Sequence, residues 1–388
     1  MSLTMGVPFR ARARSTAHPA LTILPLLLAS LTTGPFASPP AAGAATPGRH
    51  VLRGDLVQVC NVIGNVSIVA APDDKTTSGG VVVEVTTQGA DGSKLRVEVG
   101  NCLGAKRLRV VYPSNRIVDP SLGRGDRHES TTGGCCGTGR ISFRRPGDGL
   151  DASADIVIRV PRGQSLKVEQ AAGRIEANDV RADLDLETGS GDLAIVGVIG
   201  VVGIDSGSGT ISIDKSKGAL SVDAGSGGVE VRDFVGTLEV DAGSGGISVT
   251  RVRSDAVAIG CGSGTVTGDD VITGLLTVDN GSGGIEFRRL HSREITFDTG
   301  SGGVFADLNG SPKTMRIDTG SGGVRLTTPA DLDARLEITC AKRRLDLDLP
   351  VVASRMSDTR FEGKAGAGTG LIVIESGSGS VSLRPRTE

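Results

Sequence analysis

Through the middle and C-terminal parts of the chain the apolar positions come in alternating pairs. Leu220 and Val222, Val229 and Val231, Leu238 and Val240, and Ile247 and Val249 each leave one position between them, a period of two that marks a strand with one buried face. Equivalent pairs recur nine positions on, so a unit twice that long is predicted to hold two short strands. One junction carries Gly-Ser-Gly, and the other a turn such as Arg232 to Gly236. The tag begins at Gly189, Gly207, Gly225, Gly243, Gly262, Gly281, Gly300 and Gly320, with steps of 18, 18, 18, 19, 19, 19 and 20. It returns at Gly377 after a gap of 57, three times 19. Worn copies extend the series. Ile338 to Leu347 aligns with Ile317 to Leu326, with Ala341, Lys342 and Arg343 in place of the tag, and the run from Ala171 stands one such step before the one at Gly189.

Two short strands cannot bury an apolar row alone. Stacked as rungs of a coil, each strand pairs with the next copy of itself and the inward rows become columns. The predicted fold is therefore all-β, a parallel β-solenoid of 18- to 20-residue rungs with a β-rich N-terminal cap. Rungs about 4.8 Å apart stack each inward Val or Leu on its copies, at roughly 1.5 to 3 kcal/mol per buried side chain. A hexapeptide left-handed helix fails, because a step of six from Val222 lands on Gly228. The calcium-binding nonapeptide coil has the half-period but sets Asp directly after its glycines, where the tags followed by Val or Ile have none. Gly-Ser-Gly reads as a structural turn, its glycines supplying positive φ and close backbone approach and its Ser bonding locally or along the stack. A phosphate loop would open a helix and occur once.

Composition agrees with a thin aliphatic core: 58 Gly, one Tyr and no Trp in 388 residues, with 38% hydrophobic residues. Residues 1–44 are expected to be a signal peptide, with Arg10, Arg12 and Arg14 ahead of an apolar run and Ala42-Gly43-Ala44 as the cleavage motif. Residues 45–160 form the β-rich cap or start of the solenoid, with a long loop or hairpin at 113–151, and 161–388 form the repeat domain. A solenoid bares a strand edge at each end. The N-terminal block is expected to cover one, and the segment from Pro350 to Gly370 together with the closing stretch from Arg384 to Glu388 to discourage pairing at the other.

Without the leader, 39 basic residues face 44 acidic ones, a charge of 39 − 44 = −5. Nucleic acid is excluded as a partner for want of a basic, aromatic-bearing surface. Polybasic membrane recognition is unsupported, and no transmembrane segment is expected in the mature chain. Cys60, Cys102, Cys135 and Cys136 are disulfide candidates in an oxidising compartment. Cys261 and Cys340 fall in the column of Thr319, four rungs or about 19 Å apart, too far to bond each other. No C-x2-C pair offers a zinc site.

Several stretches together carry a likeness: Val57 to Ala70, Val81 to Val85, Leu108 to Pro113, and Asp155 to Ile195 with its Val-Pro-x-Gly corner at Val160 to Gly163. In these the chain resembles the bacterial putative-adhesin family of exported β-solenoid proteins, a group of largely unknown function. The resemblance spans nearly all of the mature chain and implies the fold and export. The Cys-bearing loop around Cys135 and the insertion after Pro350 depart from it.

An acid stands two residues before most tags: Glu187, Asp205, Asp223, Asp241, Asp279, Asp298, Asp318 and Glu375, with Gly260 and Thr339 interrupting. Turn capping by Asp is the favoured reading. A solvated row and a calcium-binding ladder, with Asp205, Asp223, Asp241, Asp279, Asp298 and Asp318 as candidates, are the others. Catalysis is not expected. Acid and base work needs two carboxyls in unlike environments, and repetition makes these alike. No catalytic residue, cofactor or metal is assigned. The sequence points to an exported, monomeric, non-catalytic binding or scaffold module, periplasmic or extracellular, with an unknown envelope or surface ligand. A carbohydrate-active β-helix enzyme and a calcium-stiffened surface adhesin are the rivals.

Overall fold

Strands find their partners one circuit of the chain away. In the computed structural model Lys217–Ala224 runs parallel to the second half of Val229–Ala242, and this sets Leu220 beside Leu238 and Val222 beside Val240, each paired with its own copy in the next repeat. Val229–Ala242 then pairs with Ile247–Cys261, Val229 beside Ile247. Past an irregularity between Val235 and Leu238 the partners become Leu238 and Val257, 19 apart. One extra residue at that turn, accommodated as a bulge, thus absorbs the change in tag spacing. Val266–Asn280 and Ile285–Thr299 continue the series in register.

The structure describes residues 48–72, 79–120, 128–132, 136–137, 139–342 and 344–386. The signal-peptide reading at 1–44 and Cys135 lie outside the described residues. Within them the fold is all-β, apart from a 3-10 turn at Gly92–Lys94. A long sheet of 27 strands accompanies a small one of three. No helix among the described residues is long and apolar enough to cross a membrane.

Burial follows the alternation. In Val229–Ala242 the residues Val229, Val231, Phe234, Leu238, Val240 and Ala242 face in and are buried. Within a column, large and small side chains compensate. Phe287 has Gly268 as its partner on one side and Ala306 on the other, and its ring stacks on Phe297 with centroids 5.2 Å apart. A Cβ on Gly268 would collide with the Phe287 ring, so this glycine is the space that the aromatic fills in a close-packed interior.

The corners are built by approach of backbone to backbone. A Cβ on Gly227 would collide with the carbonyl oxygen of Gly209, and one on Gly245 with that of Gly227. The ladder runs back through Gly191 and Gly173 to Gly64, and forward to Gly379 over Gly322. The first glycine of each tag is confined likewise, Gly225 against Gly207 and Gly243 against Gly225. Crowding, more than φ, is therefore what demands glycine here: among the tag glycines only Gly191 and Gly209 have φ in the left-handed range, at 124° and 120°. The residue after the tag differs. A Cβ on Gly228 would have no heavy atom nearer than 3.6 Å.

The first rung-like turn precedes the repeat. Leu56–Ile63 lies parallel to Ser165–Ala172, Val57 beside Leu166 and Val59 beside Val168, and Val66–Ala70 lies parallel to Ile175–Asn178. Gly48–Leu52 and Val81–Gln88 pair antiparallel, as do Arg96–Cys102 and Ala105–Val111. Residues 113–151, expected as a loop or hairpin, hold the small sheet: His128–Thr132 and Gly139–Arg144 pair antiparallel as a hairpin, and Arg116–Val118 adds parallel to the second of them. Its core is Phe143, fully buried, with the His128 ring stacked on it at 5.9 Å. The Gly-rich and charged composition hid the third strand, because Arg116–Val118 contributes only Ile117 and Val118 to the buried set.

At the C-terminal end the rungs are not in chain order. Gly370–Ser376 pairs with Thr314–Thr319 on one side and Ala334–Thr339 on the other. The last tagged rung is thus slotted inside the worn copy, where sequence order put the worn copy first. The glycine ladder gives the reason. Gly377 stacks against Gly320 with no room for a Cβ between them, and Ala341 carries one. There the chain leaves the corner geometry through a turn closed by the Arg344 amide on the Ala341 carbonyl at 3.1 Å. Cys261 and Cys340 are consequently five steps apart, through Asn280, Thr299, Thr319 and Ser376, and not four. Beyond Ala334–Thr339, Arg360–Ala365 and Val352–Met356 add antiparallel strands.

The two kinds of glycine should respond differently to the same change. Gly227→Ala is expected to destabilise by about 2–4 kcal/mol, whereas Gly228→Ala should stay within about 0.5 kcal/mol of the parent. Denaturant melts of both variants check this, and equal losses would contradict the crowding account.

Candidate functional site

Alternation sends one acid per rung to the outer face. Glu187, Asp205, Asp223, Asp241, Gly260, Asp279, Asp298, Asp318 and Glu375 are consecutive partners in a single outward column. Cations neutralise its ends. The Lys167 ammonium lies 3.1 Å from Asp185 and 3.7 Å from Glu169 and also bonds Glu187. Its partial burial would lower its pKa, but the bonds to Glu187 and Asp185 win and hold it above the usual lysine range. At the other end Arg316 lies 3.8 Å from Asp318 and 3.4 Å from Glu375. In the stretch between, no ion pair or hydrogen bond joins Asp205, Asp223, Asp241, Asp279 or Asp298 to another described residue. Burial first, and then the neighbouring carboxylates, raise the pKa of Asp205, Asp241 and Asp298. A side chain at Gly260 would collide with the Asp241 carboxylate, so the break in the series gives that group room.

These acids do not cap the turns. Capping falls to the next residue, whose side chain points inward beneath the corner. The Asn280 Oδ1 accepts the Gly283 amide at 3.1 Å while its Nδ2 donates to the Gly264 carbonyl at 2.9 Å. Thr299 accepts the Gly302 amide at 3.1 Å, and Thr319 the Gly322 amide at 2.9 Å. Strand alternation explains the exchange: a residue two before the tag faces solvent, and one before it faces the amides. Calcium needs six to eight oxygens, and no group of three His, Cys, Asp or Glu among the described residues could hold a metal ion.

Cys60 is bonded to Cys136, their Cα atoms 5.4 Å apart, which ties the small sheet to the first rung. Cys102 is also disulfide-bonded. Cys261 and Cys340 are free and buried, and burial raises the pKa of both thiols. Cys261 sits in the capping column, its Sγ 3.4 Å from the Gly245 and Gly264 carbonyls. Gly189, Gly207, Gly225, Gly243, Gly262, Gly281, Gly300, Gly320 and Gly377 all stand at corners where a Cβ would meet backbone or side chain. His291 is engaged at Nδ1, 2.7 Å from the Asn309 carbonyl.

The second strand of the same rungs holds a feature that the repeat pattern does not announce. Thr265, Gly284, Gly303, Gly323 and Ser380 follow one another in register and floor an open trough of about 440 Å³. Glu286, Phe305, Arg325 and Ser382, also consecutive partners, wall it. The Arg288 guanidinium lies over the Phe305 ring, 5.6 Å from its centroid, and is anchored to Glu286 at 2.6 and 2.8 Å. Arg325 has no hydrogen-bond or ion-pair partner among the described residues. The signal was in the letters: the tags at Gly281, Gly300 and Gly320 are three in a row that continue with a further glycine.

Residues 215–384 match the family model Toastrack DUF4097, which bears out the resemblance to a family of unknown function. No curated protein matches the chain. A crystal structure described as "a putative cell adhesion protein" from Clostridium sporogenes aligns over 88% of this chain and 100% of its own at 8% identity, with a TM-score of 0.17. Another, described as "a putative adhesin" from Bacteroides fragilis, aligns over 89% and 99% at 9% identity, with a TM-score of 0.28. At those TM-scores the likenesses bear no weight for fold or function.

The raised carboxyls set a pH dependence. A folded pKa above the unfolded one contributes stability that is complete below the unfolded value, about 3.9 for Asp, and is lost as pH rises through the folded value. Asp233, Asp333 and Asp346 act oppositely: bonds from Arg251, Thr369 and Arg384 lower their pKa, and their contribution fades as pH falls. Comparison with Asp241→Asn isolates the column. The variant should melt above the parent at pH 7, by no more than about 1 kcal/mol after solvent screening, and the gap should close toward pH 4. Thermal melts across that range test it; a variant less stable at pH 7 would contradict the repulsion.

Proposed function

We propose, starting from the Toastrack match over residues 215–384, that the chain is an exported, rigid, non-catalytic β-solenoid that serves as an adhesin-like binding or scaffold module of the cell envelope. Its rungs, of the length set by the tag spacing, form the shaft; residues 45–160 start and cap it, and the antiparallel strands at Val352–Met356 and Arg360–Ala365 blunt the far edge. Residues 1–44 direct export, and the mature chain acts as a monomer in the periplasm or outside the cell. One observation carries the reading. Inward positions are fixed by packing, while the outward positions of one register change freely from Glu286 to Phe305, Arg325 and Ser382. A scaffold whose fold and surface are written in separate columns can take on a ligand without disturbing its core. Against catalysis stands the likeness of Asp205, Asp241 and Asp298: burial and then neighbouring carboxylates raise the pKa of all three, and acid–base pairs need unlike environments.

Expression of the full chain in a bacterial host tests the reading. The protein should leave the cytoplasm shortened near Ala44, cosediment with intact cells of the parent species, and release no reducing ends from polysaccharides. Cytoplasmic retention at full length, or polysaccharide turnover lost on Asp241→Ala and Asp279→Ala, would overturn it.

A further inference from the structure

We infer that the trough over Gly284, Gly303 and Gly323 binds an acidic oligosaccharide, a uronate-bearing chain laid along the stack. The inference rests on the reading of the chain as a binding module and names its ligand class.

The fold does not require these glycines. Asp192, Thr210, Thr265 and Ser380 stand at the same position after other tags, so the corner accepts side chains there. A Cβ would find its nearest atom at 3.6 Å on Gly284, 3.4 Å on Gly303 and, more tightly, 3.2 Å on Gly323, and none of the three glycines has a left-handed φ. Three in succession produce an uncovered floor beside the row of Glu286, Phe305, Arg325 and Ser382. From Thr265 to Ser380 the floor spans four rung steps, roughly 19 Å at strand spacing, and it is open along its length, so an internal stretch of a polymer can lie in it.

The walls select the chemistry. Phe305 offers an apolar ring, held by Arg288, to the C–H face of a sugar. Thr265 and Ser380, at the two ends of the floor, and Glu286, beside Phe305 in the wall, supply hydroxyl-bonding groups. Arg325 is the unpaired charge of the site, and a guanidinium fork matches a carboxylate. Glu286 is already bound by Arg288, which leaves the trough cationic in its unmet demand. An extended peptide is disfavoured because the floor has no free strand edge: the Ile285, Val304 and Val324 amides donate to the Gly303, Gly323 and Ser380 carbonyls at 2.8 to 2.9 Å. Only side chains remain to recognise a ligand.

Titration calorimetry on the purified mature chain tests the site with three probes: tetragalacturonate, the neutral maltotetraose, and hexaglutamate. Tetragalacturonate should bind at least about 10-fold tighter than either of the others. Arg325→Gln and Gly303→Thr, the second copying the residue at Thr265, should each weaken it at least about 10-fold while melting like the parent. No binding of tetragalacturonate, equal binding of hexaglutamate, or unchanged binding by Arg325→Gln would overturn the inference, and the last needs no groove-filling substitution to fold. Cosedimentation with cells, run on the same preparations, separates the two failures. Absent glycan binding with cell association retained sinks the trough alone; absence of both sinks the module reading with it.

Discussion

Hydrogen-bonded neighbours in a sheet lie about 4.8 Å apart, and in a coil where every rung repeats the last this one distance falls between all equivalent atoms. Whatever a rung carries at a position must tolerate its own copy at that range. Aliphatic side chains do so favourably, which gives the inward columns through Leu220, Leu238 and Val257 or Val222, Val240 and Ile259. Backbone at a sharp corner does so only without Cβ atoms, which gives the glycine ladder from Gly64 to Gly379. Carboxylates do so at a cost, which is why Lys167 and Arg316 sit at the two ends of the acidic column and a glycine interrupts its middle. The same distance that builds the core therefore strains one face.

Much of this was legible in the letters because register is a property of spacing. Period two within strands and a beat near 18 together fix which residues meet, and the pairs Leu220 with Leu238 and Val229 with Ile247 follow from counting. Order is not a property of spacing. The tagged rung at Gly377 displaces the worn copy because its corner fits the Gly320 ladder, a matter of volume that an alignment of repeats does not weigh. The small sheet at 113–151 escaped for a related reason: its strands are short and single, with no copies to reveal them. Capping by Asn280, Thr299 and Thr319 was one residue away from the acids that drew attention. A side chain's face decides its chemistry there, and conspicuous charge pointed to the wrong side of the strand.

The trough shows the converse. Glycine in a glycine-rich repeat draws no notice, and only the contrast between crowded and uncrowded positions separates Gly302, where a Cβ would strike the Gly283 carbonyl, from Gly303, where it would not. Positions spared by packing are those on which surface chemistry can vary. Phe305 and Arg325 stand on such positions, next to a floor left bare.

Stacking at strand spacing is measurable directly. Spin labels at Ser208 and Ser301, on corners five steps apart, should give one narrow distance distribution centred near about 24 Å, the product of step number and strand spacing. A mean beyond about 40 Å, or a spread across that range, would mean that the corners do not lie over one another and would contradict the account.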